Sequence, residues 1–328
     1  MKAMERAYTL GLYEKAMPSD LTWREKLLAA KEAGFDFVEI SIDETDAKLS
    51  RLDMTKEERL GLVRLMQETG VPIRTMCLSG HRKYPLGSSD PAVEARGIEI
   101  MEKAIRLAED LGIRIIQLAG YDVYYEESTF ETKKRFLANL KKAADMAAKA
   151  GVTMGFETME NEFMNTVEKA MKYVTLVGSP YLNVYPDIGN ITNAAKTYEN
   201  DVLEDLELGK GHIVAMHLKE TVPGKFREIP FGTGHVDFES AVTKAWELGV
   251  RKYVTEFWYT GNPGWKEDLT FANEMFTRTF RDGKQLPRSR ASPDFGSSLI
   301  QKEDSPWRFR ADRHGLPGRS LLADKNVI

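Results

Sequence analysis

Residues 132–157, TKKRFLANLKKAADMAAKAGVTMGFE, contain the pattern that decides the fold. Apolar and charged positions follow helical spacing up to Ala150, a glycine comes next, and a short apolar run ends on Glu157. This pattern predicts an amphipathic helix, a left-handed helix end at Gly151, and a buried β-strand. The stretch is therefore one helix-to-strand step of an α/β protein.

The same unit recurs along the chain. Segments with helical spacing, such as Ser88–Leu111, alternate with short apolar runs, and further glycines stand where helices should end, at Gly34, Gly70 and Gly112. The runs that predict strands are Tyr8–Tyr13, Phe35–Ile40, Ile73–Cys77, Arg114–Leu118, Thr153–Glu157, Leu182–Tyr185, Ile213–Leu218 and Tyr253–Phe257. Eight units of about 35 residues each predict a closed (βα)8 TIM barrel.

A doubly wound parallel sheet is the alternative fold. It is less well supported, because no GxGxxG motif follows the first predicted strand. We assign residues 1–286 to the barrel domain. Residues 287–328 are rich in Arg, Ser, Pro and Gly and have no periodicity, so we predict an irregular, disordered C-terminal extension.

Composition limits the partners and the compartment. Apolar residues make up 42% of the chain and charged residues 29%, and the net charge of −4 gives no reason to expect nucleic-acid or anionic-membrane binding. Cys77 is the single cysteine, which excludes an intrachain disulfide and favours a reducing compartment. No apolar stretch suits a signal peptide or a membrane span. We therefore expect a soluble cytoplasmic protein.

Four metal-binding side chains stand at or near the ends of the last four predicted strands. They are separated by one βα unit each and are Glu157, Asp187, His217 and Glu256. A lone acid at a strand end is usually a helix cap or an ion-pair partner. The carboxyl ends of barrel strands share one rim, however, and three carboxylates would repel one another there unless a cation compensated them. The set predicts one divalent ion, with Zn²⁺, Mn²⁺, Co²⁺ and Mg²⁺ all possible.

Such a site suits proton transfer beside a carbonyl group. A divalent ion polarises an α-hydroxyketone, and carboxylates on opposite faces can remove and return a proton at the neighbouring carbon. Glu157 and Glu256 come from strands separated by two others, so we assign them the acid and base roles. Asp187 and His217 would mainly hold the ion. Epimerisation without a redox cofactor follows from this arrangement.

Several long motifs also resemble those of a known family, the L-ribulose-5-phosphate (L-xylulose-5-phosphate) 3-epimerases of the xylose-isomerase-like barrel superfamily. The similarity covers about residues 8–282 and is most evident in LGLYEKAMP (10–18), GFDFVEISIDETDAKLSRLD (34–53), CLSGHRKYPLGS (77–88), IQLAGYDVYY (116–125), YPDIGN (185–190), HIVAMHLKET (212–221) and PFGTGHVDFE (230–239).

The resemblance implies a fold, a reaction and a set of site residues. Metal ligands of the family fall here on Glu157, Asp187, His217 and Glu256, and the two glutamates fall on its acid/base pair. It further implies conversion of L-xylulose 5-phosphate to L-ribulose 5-phosphate, a role in L-ascorbate or related pentose breakdown, and a homodimer. The segments 157–163 and 257–268 are less typical of the family, so substrate preference is less constrained than reaction type.

Further residues are candidates for substrate binding. Each has a structural alternative. It is a solvated basic loop for His81, Arg82 and Lys83, and charge neutralisation for Lys219. It is an internal ion pair for Glu14, Lys15 and Glu39, and packing for the three tyrosines of residues 121–125. His235 is expected to be exposed or to support the site indirectly. The candidates are His81, Arg82, Lys83, Lys219, Glu14, Lys15, Glu39, Tyr121, Tyr124 and Tyr125.

Three other functions compete with this interpretation. An epimerase or isomerase of unphosphorylated ketoses would use the same site. A non-catalytic sugar-phosphate-binding barrel should have lost one of the two glutamates, and both are present. An endonuclease-IV-like repair enzyme would need several more metal-binding histidines and a less acidic barrel.

Overall fold

Eight parallel strands curl into a closed barrel in the computed structural model, which describes residues 7–282. The strands are β1 (Thr9–Tyr13), β2 (Phe37–Ile42), β3 (Ile73–Leu78), β4 (Ile115–Ala119), β5 (Thr153–Glu157), β6 (Leu182–Val184), β7 (Met216–Leu218) and β8 (Lys252–Thr255). The predicted TIM barrel is confirmed. The predicted extension over 287–328 lies outside the described residues.

Helices surround the strands. They are α1 (Trp23–Glu32), α2 (Asp46–Leu49), α3 (Lys56–Thr69), α4 (Pro91–Leu111), α5 (Phe130–Ala150), α6 (Val167–Val177), α7 (Ile188–Tyr198), α8 (Val202–Leu208), α9 (Phe238–Glu247) and α10 (Trp265–Asp282). Short 3₁₀ segments follow β1, α2 and β3, at Glu14–Ala16, Ser50–Asp53 and Gly80–Arg82. No helix within residues 7–282 is both long and apolar enough to cross a membrane.

Two contacts close the barrel. The first strand pairs in parallel with the last, with Gly11 opposite Val254. On the other side, β6 and β7 are joined by isolated bridges from Val184 to Ile213 and from Asp187 to His217. Because every strand has two neighbours, the carboxyl ends of all eight strands meet at one rim.

Local sequence signals explain the helix ends. Thr22 forms a capping box with Glu25 at the start of α1, and Asp90 caps α4 directly before Pro91. Gly112 and Gly151 end α4 and α5 with φ of 73° and 65°, as predicted. The apolar faces of these helices pack on the strands and form one continuous core.

Some strand bounds differ from the predictions. The second strand runs over 37–42 rather than 35–40. Just before it, the Asp36 backbone N–H donates to Leu10 O, and the Asp36 side chain, in place of its carbonyl, accepts from the Leu10 N–H. The seventh begins at Met216, because Ile213 forms only an isolated bridge. The eighth ends at Thr255, although the Glu256 N–H still donates to Leu218 O at 2.9 Å.

Candidate metal centre

Four side chains converge at the rim of the barrel. Ligand atoms from Glu157, Asp187, His217 and Glu256 all lie within 4.8 Å of one another. All four residues are buried, Asp187 and His217 completely. The structure therefore brings together the set that the sequence predicts.

The backbone determines this convergence. Glu157 is the last residue of β5, and Glu256 follows β8 directly. Asp187 pairs with His217 through the bridge that closes the barrel. Four neighbouring strands therefore each bring one side chain capable of binding a metal to the same point.

The two carboxylate oxygens of Asp187 have different surroundings. Its Oδ1 accepts a hydrogen bond from Asn190 N at 2.7 Å and caps α7. Its Oδ2 lies 3.0 Å from Lys219 Nζ but accepts no well-aligned hydrogen bond within residues 7–282. The helix-cap interpretation and the metal-ligand interpretation are therefore compatible, because each uses a different oxygen.

Gly189 allows the turn after Asp187 to approach the end of β7. A Cβ atom at this position would lie 2.7 Å from Lys219 O, which is closer than packed atoms can come. The glycine therefore permits the backbone after Asp187 to pack directly against the Lys219 carbonyl group.

Burial and neighbouring charges shift the pKa values of the three carboxyl groups in the cluster. Burial raises the pKa of Glu157, and the neighbouring Glu256 raises it further. Burial also holds the pKa of Asp187 well above its usual value, although Lys219 opposes this. For Glu256, Lys219 and His217 outweigh burial and hold the pKa well below its usual value. Glu157 and Asp187 therefore ionise less readily than usual, whereas Glu256 ionises more readily.

The donor set fits a divalent cation. Three carboxylates and one imidazole are the ligands that Mn²⁺, Mg²⁺, Co²⁺ and Zn²⁺ accept. Among the described residues, the fully buried Asp187 Oδ2 has the Lys219 ammonium nearby but no well-aligned hydrogen-bond donor, and such an atom is costly unless something compensates it. A bound cation would satisfy this oxygen and offset the excess negative charge.

A pocket opens above the cluster. Glu157 and Glu256 line it, whereas Asp187 and His217 lie beneath and do not contribute to its wall. Basic and aromatic side chains surround the two glutamates, namely Lys15, Arg82, Lys219, Arg227, Tyr13 and Trp258. Of the four clustered residues, the two predicted acid/base residues are therefore those that line this pocket.

Three of the proposed substrate-binding residues lie in this wall, namely Lys15, Arg82 and Lys219. Lys219 contacts Asp187 and Glu256, with its Nζ 3.4 Å from Glu256 Oε2. Arg82 donates a hydrogen bond to Tyr121 Oη at 3.1 Å, and its guanidinium lies over the Tyr124 ring. Tyr121 itself is almost fully buried, so it holds Arg82 rather than facing the pocket.

Other candidates point elsewhere. His81 is buried and donates from Nε2 to Gly97 O at 3.0 Å, and Lys83 is exposed with its Nζ over the Tyr84 ring. Glu14 is fully buried in an ion cluster with Lys26, Lys48 and Arg51. Of the interpretations left open for Glu14, its contacts support the internal ion pair.

The remaining candidates are divided between the pocket and its surroundings. Lys15 lines the pocket and pairs with Asp43 at 2.5 Å. Tyr125 is largely exposed and donates to Glu44, and His235 Nε2 lies 3.0 Å from Thr221 Oγ1. Glu39 lies behind the cluster, where its Oε1 is 2.6 Å from His217 Nε2.

Asn190, Arg227 and Trp258 are among the residues of the pocket wall that sequence reasoning missed. Asn190 had a signal, since it stands three residues after Asp187 in the same strand-end motif. Arg227 and Trp258 lie in loops after β7 and β8 that have no periodicity, and nothing in the sequence indicates their direction.

Comparisons with known proteins identify the family and the fold. Residues 27–275 match the family model of the xylose isomerase-like TIM barrel. Two curated relatives, from Salmonella paratyphi C (strain RKS4594) and Escherichia coli (strain SMS-3-5 / SECEC), are named L-ribulose-5-phosphate 3-epimerase UlaE. Each is 50% identical over 256 residues, which is 78% of this chain and 89% of the relative.

Solved structures share the fold at low sequence identity. A D-tagatose 3-epimerase-like protein superposes with a TM-score of 0.70 at 18% identity, covering 84% of this chain and 98% of that one. An L-ribulose 3-epimerase gives 0.68 at 20% identity, covering 87% and 100%. These likenesses support the architecture alone. The sequence matches go further: the chain belongs to the xylose isomerase-like TIM barrel family and, within it, to the L-ribulose-5-phosphate 3-epimerases, and it is an enzyme of the isomerase class.

Proposed function

We propose that the chain catalyses the metal-dependent 3-epimerisation of a ketopentose 5-phosphate, converting L-xylulose 5-phosphate to L-ribulose 5-phosphate. One observation carries the proposal: of the four clustered residues, Glu157 and Glu256 alone line the pocket. The 50% identity to L-ribulose-5-phosphate 3-epimerases supports the choice of substrate.

The proposed chemistry divides the four residues into two pairs. Asp187 and His217, with the two glutamates, would hold one divalent cation. That cation would polarise the carbonyl of the ketose and lower the barrier to proton loss at C3. One glutamate removes the C3 proton and the other returns a proton on the opposite face, which inverts the centre. Lys219, beside Asp187 and Glu256, helps to orient these carboxylates.

Basic side chains at the pocket support a phosphorylated substrate. Arg82, Arg227 and Lys15 all line it, and guanidinium groups bind phosphate oxygens through paired hydrogen bonds. Of the predicted anion-binding residues, Arg82 keeps this role in the proposal. His81 and Lys83 do not, because neither lies in the pocket wall.

An unphosphorylated ketose is the second candidate substrate. Glu160 favours it, because its Oε1 lies 3.5 Å from Arg227 and 4.0 Å from Arg82 and so offsets part of their charge. The non-catalytic alternative has no such support, since both glutamates face the pocket and the family is enzymatic.

Proton exchange at C3 tests the roles of the glutamates. Wild-type protein loaded with Mn²⁺ or Zn²⁺ should incorporate deuterium at C3 of L-ribulose 5-phosphate in D₂O, as followed by NMR. Glu157→Gln and Glu256→Gln should each fold normally yet lose about 10²- to 10⁴-fold in turnover. Wild-type exchange rates in either variant would refute the base role of that residue.

A comparison of substrates tests the phosphate. We expect kcat/KM to fall by about 100-fold or more for the free ketopentose, because charge-assisted contacts to phosphate are lost. Equal kcat/KM for both forms would favour the unphosphorylated ketose instead. Arg82→Gln should reduce the preference for the phosphorylated form, and Lys83→Gln, which lies outside the pocket, should leave it unchanged.

The wider context follows from the resemblance and remains a prediction. We expect a cytoplasmic homodimer that acts in L-ascorbate or related pentose breakdown and binds neither nucleic acid nor membranes. Light scattering of the purified protein would measure the oligomeric state.

A further inference from the structure

Glu39 lies directly behind the candidate metal centre. It stands in the middle of β2, is fully buried, and reaches across the barrel to residues 146 and 178 positions away. Its Oε1 is 2.6 Å from His217 Nε2, and its Oε2 accepts a hydrogen bond from Tyr185 Oη at 3.0 Å. Both carboxylate oxygens are therefore engaged, and neither belongs to the group of ligand atoms that converge at the rim.

The two nitrogens of His217 face different partners. Nδ1 points to the cluster, 3.2 Å from Glu256 Oε2, 3.8 Å from Glu157 Oε1 and 3.9 Å from Asp187 Oδ2. Nε2 points away from the cluster to Glu39. An ionised carboxylate only accepts hydrogen bonds, so a proton on Nε2 satisfies Glu39 and leaves the Nδ1 lone pair for a cation.

Other contacts restrict the imidazole in the same orientation. The Tyr185 ring packs edge-on against it at 4.9 Å between centroids. Gln117 Nε2, an N–H donor, lies 3.0 Å from Nδ1 and 3.4 Å from Nε2, so its shorter contact is with Nδ1 and suits a lone pair there. The ring is therefore oriented from both sides before any ion binds.

We infer that Glu39 and Tyr185 are positioning residues for the metal centre: Glu39 fixes the Nε2–H tautomer of His217, so that Nδ1 binds the cation, and Tyr185 fixes the Glu39 carboxylate. This inference rests on the proposed metal centre. Partners of this kind typically contribute 10- to 100-fold to metal affinity by orienting the ligand and raising its basicity.

Metal titration of the full-length protein tests the inference. Zn²⁺ affinity is measured by competition with a chromophoric chelator for wild type, Glu39→Gln, Glu39→Ala and Tyr185→Phe. We expect about 10- to 100-fold weaker binding for Glu39→Ala, with smaller losses for Glu39→Gln and Tyr185→Phe, whose groups keep part of the contact. Asp205→Asn is the matched control, because Asp205 is a buried acid whose carboxylate accepts hydrogen bonds from Val167 N and Glu168 N at the start of α6 instead of binding His217.

Nitrogen-15 NMR of the Zn²⁺-loaded protein supplies a readout that a merely structural role would not change. Wild-type His217 should bind through Nδ1 and carry its proton on Nε2, and Glu39→Ala should show a mixture of the two tautomers or a change of nitrogen. Undiminished affinity in Glu39→Ala, or binding through Nε2 in the wild type, would overturn the inference while leaving the metal centre intact. Absence of stoichiometric Zn²⁺ binding by the wild type would overturn the metal centre and this inference with it.

Discussion

His81 shows how a residue that suits a binding site can serve the fold instead. It follows β3 at the rim, beside Arg82, and both are basic candidates for an anion site. In the structure its Nε2 donates to Gly97 O, which joins the β3–α4 connection to α4. Arg82, its neighbour, turns toward the pocket. Residue type alone does not predict these two directions. Both residues lie in one 3₁₀ segment, in which successive side chains point about 120° apart.

The buried His81 should make stability depend on pH. Burial lowers its pKa from 6.5 to about 4, against the opposing hydrogen bond to Gly97 O. Above pH 6.5 the ring is neutral in both the folded and the unfolded state, so it contributes nothing to the pH dependence of stability. Below that, the unfolded chain binds a proton that the folded chain excludes, and stability falls as pH falls toward 4. The expected loss at pH 5 is about 2 kcal/mol.

Urea unfolding at pH 8 and pH 5 measures this effect. His81→Gln cannot titrate but keeps an N–H donor for Gly97 O, so its stability should fall by about 2 kcal/mol less than that of the wild type between the two pH values. Equal losses for both proteins would show that His81 does not exclude a proton in the folded state.

At the scale of elements, two glycines within helices have opposite surroundings. Gly97 in α4 faces Tyr84, and a Cβ there would lie 2.5 Å from the Tyr84 carbonyl oxygen. Gly61 in α3 has no atom within 4 Å of the corresponding position. Helix propensity favours alanine equally at both sites, so any difference between them reports packing.

We therefore predict opposite effects of the same substitution. Gly61→Ala should stabilise the protein by about 0.5–1 kcal/mol, because alanine loses less backbone entropy on folding. Gly97→Ala should destabilise it by about 1–3 kcal/mol, because α4 must move away from the β3–α4 connection. Chemical denaturation of both variants measures the difference. A stabilising Gly97→Ala would mean that the helix is not held so closely against this connection.

For the whole molecule, the repeating pattern was sufficient to predict the barrel and its rim. Parallel strands align their carboxyl ends, so residues at strand ends separated by one βα unit converge whatever the loops do. Glu157, Asp187, His217 and Glu256 follow this rule, and the structure brings their ligand atoms together.

Other parts of the site could not be predicted in this way. Glu39 and His217 are 178 residues apart and meet across the barrel interior, a contact that depends on strand tilt and register. Arg227 and Trp258 reach the pocket from aperiodic loops, where no spacing rule gives the direction of a side chain. The sequence thus predicts residues fixed by strand periodicity better than residues fixed by loop conformation.

The central claim is that four strand ends hold one cation in common. Anomalous diffraction at the metal edge from crystals grown with Mn²⁺ or Zn²⁺ tests it most directly. We predict a single strong peak per chain, at about 2.0–2.2 Å from one oxygen of each of the three carboxylates and from Nδ1 of His217. A peak elsewhere, or no peak among these four side chains at saturating metal, would contradict the account.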